Sequence, residues 1–303
     1  LCNTIVTKMK QVVQIRCKNN KKTQKVANGS TLSDIFSSFN LKMEHGPVSA
    51  KVNNKVEGMH YRVYNNKDIE FLDMRTSSGS RAYTRTLFFV LCKAVQDLYP
   101  GHDVVIDIPV SNGFYVDVRL ERDVTADDVD CIRKRMQEIV DARMPIRRYM
   151  VPTEDAIALF EEKGDVEKVK LLRTSGSLYT AYYKIGEYVD FYYGTLLTNT
   201  SQLYLFGLEK YYDGMLLRIP SLKNPDELGE VTRQDKMFEI FKEHHHWQDI
   251  IGIRTVGDFN AAVDAGHATD IINISEALQE KKIAQIAEQI AARPGVKLVL
   301  LAG

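Results

Sequence analysis

Over the first quarter of the chain, apolar and polar residues alternate in short runs, which predict a small sheet with one helix. The strand-like runs are residues 12–16, 23–26, 48–52 and 68–72. Apolar positions recur at helical spacing over residues 32–39. We interpret residues 1–74 as a β-grasp domain, in which one helix packs across a sheet. The polar, Gly- and Ser-rich segment 75–80 is interpreted as a linker.

Residues 81–220 combine longer amphipathic segments with strand-like pairs, and this mixture predicts an α+β fold. The predicted elements are a helix over 81–99, strands over 104–108, 114–118 and 146–150, and a Tyr-rich strand-like stretch over 179–212. Thr125, followed three residues later by Asp128, is typical of a helix N-terminus. Thr153 is expected to cap another helix in the same way.

The remaining residues predict helices followed by a single apolar strand. We interpret residues 221–295 as a helical connector, because apolar positions recur there at helical spacing. Residues 296–303 then read as a strand that is apolar on both faces, which is typical of a parallel sheet. Nothing upstream offers partner strands, so we expect a further α/β domain to follow Gly303.

The charge balance and the cysteine content narrow the possible functions. Forty basic and 40 acidic residues give a formal net charge of zero, which argues against a chain whose whole surface binds nucleic acid. The four scattered cysteines contain no C-x-x-C pair, so we expect reduced thiols, a cytoplasmic location and no zinc ribbon. No apolar run approaches the ~18 residues of a membrane span, and no membrane partner is expected.

Basic residues on the first predicted hairpin are one candidate ligand-binding patch. They are Lys18, Lys21, Lys22 and Lys25. These lysines could contact RNA phosphates or an acidic ligand. Alternatively, they protect the edge of a sheet from pairing with another strand.

Polar residues on the second predicted hairpin are further ligand-binding candidates, namely Asp107, Tyr115 and Asp117. Paired carboxylates can perform acid–base chemistry, whereas strand-end carboxylates paired with Arg119 and Arg122 would be structural. The Tyr-rich stretch offers a similar choice. Its rings could stack on bases, or they could serve the sheet, where tyrosine is common.

The second hairpin carries a family resemblance. Residues 101–118, G-H-D-V-V-I-D-I-P-V-S-N-G-F-Y-V-D-V, resemble the hairpin of the threonyl-tRNA synthetase editing domain, G-P-x-x-x-x-G-F-Y-Y-D-x. Upstream, residues 90–100 resemble the family's helix that ends in Leu, an aromatic residue and Pro. Downstream, residues 187–190 resemble its Glu-Tyr-Val-Asp strand. Residues 10–74 resemble the TGS domain that precedes the editing domain, so the resemblance implies a TGS-like domain over 1–74 and an editing-like domain over 81–220.

The chain departs from that family at its functional positions. The editing family carries H-x-x-x-H on the first helix and a later Cys and His. In this sequence, those positions are occupied by Phe89, Lys93, Tyr192 and Leu196. A Phe–Lys pair cannot bind zinc or orient a water as two imidazoles would. We therefore expect no metal, no cofactor and no catalysis in this chain.

The domain order also resembles that of bacterial uridine kinase-like ATP-binding proteins, in which TGS and editing-like domains precede a P-loop kinase domain. The run that ends at Gly303 resembles the strand entering a G-x-x-x-x-G-K-S/T loop. This resemblance implies a parent that uses ATP and Mg²⁺ to phosphorylate a nucleoside. The present chain would then be a non-catalytic module that binds RNA or a small molecule and has the downstream kinase domain as its partner.

Two other hypotheses stay open. The first is an aminoacyl-tRNA deacylase or tRNA-binding fragment related to threonyl-tRNA synthetase. The second is a scaffold for dimerisation. A zinc ion or a shaped polar pocket around Phe89, Lys93 and Tyr192 would favour the deacylase.

Overall fold

The computed structural model describes residues 11–295, apart from the side chain of Asp107. The described part of the chain divides into two compact units. Unit 1 comprises residues 11–150 and 181–233, and unit 2 comprises residues 151–180 and 234–295. The predicted domain boundaries stay predictions. Helices and sheets are combined as expected for an α+β fold.

Unit 1 begins with a five-stranded mixed sheet in the order β2-β1-β7-β4-β5 and a separate pair, β3-β6. The elements are β1 (Val12–Cys17), β2 (Lys22–Ala27), β3 (Ser30–Thr31), α1 (Leu32–Ser38), β4 (Ser49–Val52), β5 (Lys55–Glu57), β6 (Arg62–Val63) and β7 (Lys67–Leu72). β1 runs parallel to β7 and antiparallel to β2. Alternate residues of β1 are buried, which directs Ile15 against Ile35 and Phe71 in one core.

The segment expected to be a linker, residues 75–80, instead contains the first turn of a helix. Helix α2 spans Ser77–Leu98, and its N-cap residue Thr76 accepts a hydrogen bond from the amide of Gly79. Gly79 packs so closely that a Cβ atom there would lie 1.9 Å from the carbonyl oxygen of Asp73. The linker prediction was wrong because it rested on composition, and composition does not reveal that Gly79 packs closely against Asp73.

The rest of unit 1 contains two further sheets. In chain order, the elements from residue 104 to residue 218 are β8 (Val104–Val110), β9 (Gly113–Val118), α3 (Ala126–Asp141), β10 (Arg147–Pro152), α4 (Thr153–Glu162), α5 (Val166–Arg173), β11 (Tyr179–Ile185), β12 (Tyr188–Phe191), β13 (Gly207–Tyr211) and β14 (Gly214–Arg218), of which α4 and α5 belong to unit 2. The sheets have the orders β13-β14-β9-β8 and β10-β11-β12. The predicted turn between β8 and β9 is confirmed, with positive φ angles of 52° at Ser111 and 57° at Asn112.

Helices α2 and α3 supply much of the core of this second part. The N-terminus of α3 is fixed by the predicted capping box, in which Thr125 and Asp128 bond each other's backbone amides. Asp128 also pairs with Arg122 at 2.6 Å, so Arg122 serves the helix cap. The buried apolar side chains of α2 include Leu87, Phe89, Val90 and Leu91. Each buried side chain of this size contributes about 1.5–3 kcal/mol.

Unit 2 is mainly helical in its described part. Its elements are α4 and α5, followed by α6 (Asp235–Ile251), α7 (Val256–Asp264) and α8 (Ala268–Ala291). Thr153 was expected to be a helix cap, but Pro152 holds that position and Thr153 is the first helical residue. The Thr153 hydroxyl instead donates to the Ser177 carbonyl at 2.6 Å. Among residues 11–295, no helix combines the length and the apolar character needed to cross a bilayer.

Candidate functional site

Phe89 and Lys93, two of the positions expected to replace editing residues, lie on helix α2. Phe89 is fully buried, and Leu196 belongs to the same hydrophobic cluster. The Phe89 ring lies 5.8 Å from the Tyr192 ring, at 83° between their planes. Phe89 and Lys93 are one helical turn apart and therefore share a face of α2. The structure thus packs Phe89 against Tyr192 and buries Leu196 in the same hydrophobic core.

Strand β12 adds an aromatic and an acidic side chain, Tyr188 and Asp190, next to Phe89 and Tyr192. The Tyr188 ring lies 5.3 Å from Phe89, and the Tyr188 hydroxyl donates to Asp190 at 3.1 Å. Asp190 is 5% exposed and accepts a hydrogen bond from the amide of Phe191 at 2.6 Å. Burial, aided by the nearby Asp190 carboxylate, raises the pKa of Tyr192 well above its ordinary value. Tyr192 therefore stays a neutral phenol at physiological pH.

Lys93 is held by a partner on its own helix. Its ammonium donates to both carboxylate oxygens of Asp97 at 2.9 Å, and only 10% of the Lys93 side chain is exposed. Arg135 reaches the same carboxylate from α3 at 2.9 Å. A lysine in such an ion pair is neither a free base nor a metal ligand. Spacing of four residues on a helix could have predicted the Lys93–Asp97 pair.

Beside this packed region lies a polar group that sequence reasoning missed. The Tyr183 hydroxyl donates to the Gly194 carbonyl at 2.8 Å, and the His60 ring lies 6.2 Å from the Tyr183 ring. Burial, and then the charge of Arg148, lower the pKa of His60 from 6.5 to about 4. Gly194 has a φ of 116°, and a Cβ there would lie 2.7 Å from Cζ of Arg85. No local motif marks these residues, because they come from distant segments.

The other predicted candidates occupy separate places. Lys18, Lys21, Lys22 and Lys25 are exposed together on the β1–β2 hairpin. Tyr115 is buried on β9, where its hydroxyl donates to Asp213 at 2.6 Å. Asp117 lies two residues further along the same strand and is part-buried. The side chain of Asp107 lies outside the described residues, as does the whole run 296–303 with Gly303.

Three residues outside the predicted site offer ligand atoms close enough to hold a metal ion. One atom each from Glu44, His45 and Asp226 lies within 4.8 Å of the others. His45 Nε2 lies 2.8 Å from a carboxylate oxygen of Asp226, and the His45 ring stacks on Tyr204 at 4.0 Å. Arg75 lies 2.5 Å from the Glu44 carboxylate and already balances its charge. Residue 226 is distant from 44 and 45 in the chain, so spacing gave no signal for this group.

Comparison with curated proteins finds similar sequences. No family model matches the chain. Proteins named threonine–tRNA ligase are similar to it: that of Syntrophotalea carbinolica is 31% identical over 227 residues, which are 71% of this chain and 36% of the relative. Those of Marinobacter nauticus and Acetivibrio thermocellus are each 28% identical over 181 residues, which are 59% of this chain and 28% of each relative.

The chain spans about a third of the length of these curated relatives. The sequence similarity shows that the chain contains a threonyl-tRNA synthetase-like region.

Proposed function

We propose that this chain is a tRNA-binding module related to threonyl-tRNA synthetase, and that its editing-type site is not catalytic. The similarity to proteins named threonine–tRNA ligase supports the relation. The fold of residues 11–74 supports a TGS-like domain. Its hairpin β1–β2, its single helix α1 and the parallel pairing of β1 with β7 match a β-grasp arrangement.

The packing of Phe89 against Tyr192 is the observation that carries the non-catalytic part of the proposal. Hydrolysis of an aminoacyl ester requires a positioned base or a metal-bound water. Phe89 and Leu196 offer no polar atom, and Tyr192 is held as a neutral phenol. Lys93 is neutralised by Asp97. Packed side chains therefore occupy the editing-type site, and its one charged group is already paired. The surrounding fold can persist without the catalytic residues.

The exposed lysines of the β1–β2 hairpin are the first candidate contacts for tRNA phosphates. Lys18, Lys21, Lys22 and Lys25 lie on one small element, and clustered lysines attract a polyanion even when the net charge of the whole chain is zero. We include this hairpin in the proposed interface.

Binding of a threonine-specific tRNA to the intact chain, followed by fluorescence anisotropy at several salt concentrations, tests the proposal. The double variant Lys18→Ala/Lys22→Ala should reduce the slope of log affinity against log salt by about 0.9 for each lost phosphate contact. The matched control is Lys134→Ala, an exposed lysine on α3, which should leave the slope unchanged.

A second assay tests the non-catalytic part. Aminoacylated tRNA incubated with the chain should lose its amino acid no faster than in buffer. Absence of tRNA binding at low salt contradicts the tRNA-binding module. Ester hydrolysis that Lys93→Ala abolishes contradicts the non-catalytic site.

The nucleoside kinase hypothesis stays a prediction. It depends on residues 296–303, which lie outside the described residues, and the relatives above carry the name of a ligase. ATP, Mg²⁺ and a downstream P-loop domain therefore remain expectations, as do the dimerisation scaffold and the cytoplasmic location.

A further inference from the structure

The sheet β10-β11-β12 has a second face, opposite to the one that packs on α2. Antiparallel pairing places Tyr183 across from Asp190 on the buried face. Side chains alternate along a strand, so the neighbouring pair, Tyr182 across from Phe191, points the other way. We name this side the outer face.

Four aromatic rings lie in a row across the outer face. The Tyr149 ring stacks on Tyr182 at 5.2 Å and 17° between planes. Tyr182 is paired with Phe191 across the strands, and the Phe191 ring lies 4.8 Å from Tyr193. Tyr193 is 66% exposed and ends the row with the largest free ring surface. We name Tyr149, Tyr182, Phe191 and Tyr193 the outer aromatic row.

Two cations lie beside this row. Arg147 precedes Tyr149 by two residues on β10, and Lys184 follows Tyr182 by two on β11, so both share the outer face. Two residues along a strand correspond to roughly 6.7 Å. Lys184 is 3.3 Å from Glu187, whose side chain is 93% exposed. An exposed ion pair of this kind is weak and leaves the lysine able to attract an anion.

We propose that the outer face binds unpaired nucleotides of RNA, with bases on the outer aromatic row and phosphates at Arg147 and Lys184. The inference rests on the proposed function and adds to it the part of the RNA that is recognised and the surface that recognises it. Flat aromatic rings beside cations suit a ligand that alternates flat bases with negative charges. In a duplex, the flat faces of the bases are stacked on one another, so they are not available to the rings.

Anisotropy of a labelled, unstructured RNA oligonucleotide, alone and annealed to its complement, tests the inference on the intact chain. The single strand should bind more tightly than the duplex. Tyr193→Ala should weaken single-strand binding by roughly 5- to 100-fold, and Tyr193→Phe, which keeps the ring, should restore it. The matched control is Tyr64→Ala, because Tyr64 is 64% exposed and lies elsewhere in unit 1.

The cations are tested separately. Arg147→Ala/Lys184→Ala should lower the salt slope of single-strand binding by about 1.4, the value for two phosphate contacts. Lys134→Ala again serves as the control. All these substitutions are on exposed or part-exposed side chains, and the urea unfolding curve of each variant shows that it is folded.

Equal effects of Tyr193→Ala and Tyr64→Ala, or equal affinity for single strand and duplex, overturn the inference. If the wild-type chain still binds tRNA in that case, the proposed function stands and only the outer face is wrong. If the wild type binds no tRNA but binds the single strand through Tyr193, the proposed function fails and the outer face stands.

Discussion

The two faces of the sheet β10-β11-β12 use the same residue types for opposite purposes. On the buried face, Tyr183 and Asp190 lie across from each other, and each makes a hydrogen bond to the protein backbone. On the outer face, Tyr182 and Phe191 lie across from each other and the row extends to an exposed Tyr193. The number of tyrosines in a strand therefore does not distinguish a core face from an exposed face. The face of the sheet to which each tyrosine points makes that distinction.

The same contrast holds for the cations. Lys93 is held on the buried side by Asp97 at 2.9 Å, whereas the outer-face Lys184 is 3.3 Å from a highly exposed Glu187. In a poorly hydrated site, an ion pair is costly to break, while in water it is worth little. Substitutions on the buried side should therefore lower the free energy of unfolding, whereas substitutions on the outer face should lower the affinity for RNA.

The largest expected effect comes from Phe89→Ala. This ring is fully buried between α2 and the sheet, and its removal should lower the free energy of unfolding by about 3–5 kcal/mol through lost burial and a cavity. Urea unfolding of the intact chain measures it. The matched variant is Phe191→Ala on the part-exposed outer face, which should cost about 1 kcal/mol. Equal losses would mean that both faces are core.

Contacts between residues close together in the sequence could be predicted, whereas contacts between distant segments could not. The capping box of Thr125 and Asp128 was predictable, because both partners lie within one turn. The orientation of Tyr182 and Tyr183 was not, because adjacent tyrosines satisfy either direction of the alternation. The resemblance predicted four changed editing positions, and that assignment stays a prediction. It could not show that Phe89 touches Tyr192, since that contact joins segments about a hundred residues apart.

The misassigned segment 75–80 teaches the same lesson. Gly and Ser are typical of linkers, but Gly79 is needed because the carbonyl of Asp73 lies where its Cβ would be. A glycine required for close packing and a glycine in a flexible linker look identical in the sequence. His60 and Arg148 likewise carry no local signal, although the structure places both near Tyr183.

The next largest effect concerns pH and the buried side. Because the pKa of His60 is lowered from 6.5 to about 4, the unfolded chain binds a proton there before the folded chain does. The stability linked to neutral His60 is complete above pH 6.5 and is lost as the pH falls toward 4. The loss should reach up to about 3 kcal/mol.

Urea unfolding at several pH values, compared between the wild type and His60→Gln, isolates this contribution from the carboxylates that titrate in the same range. The variant should lose less stability than the wild type on acidification. Parallel pH profiles for the two proteins would mean that His60 is accessible to water and does not belong to the buried side.

A smaller effect is expected when the partner of Lys93 is removed. Asp97→Ala leaves a largely buried ammonium without its carboxylate and should cost about 2 kcal/mol of unfolding free energy. Adding Lys93→Met removes that unpaired charge and should recover most of the loss. If Asp97→Ala alone is neutral, Lys93 reaches solvent, and the buried side is more open than its packing suggests.

The smallest effect is expected at the free end of the outer aromatic row. Tyr193 is 66% exposed, so Tyr193→Ala should change the free energy of unfolding by no more than about 0.5 kcal/mol. The matched substitution on the other face, Tyr183→Ala, removes a ring that is 1% exposed and should destabilise the chain several times more. Urea unfolding of both variants makes the measurement. If Tyr193→Ala destabilises the chain as much as Tyr183→Ala does, the Tyr193 ring is packed as part of the folded core. A ring that the fold needs has no free surface for a base, and the two faces would then differ only in degree.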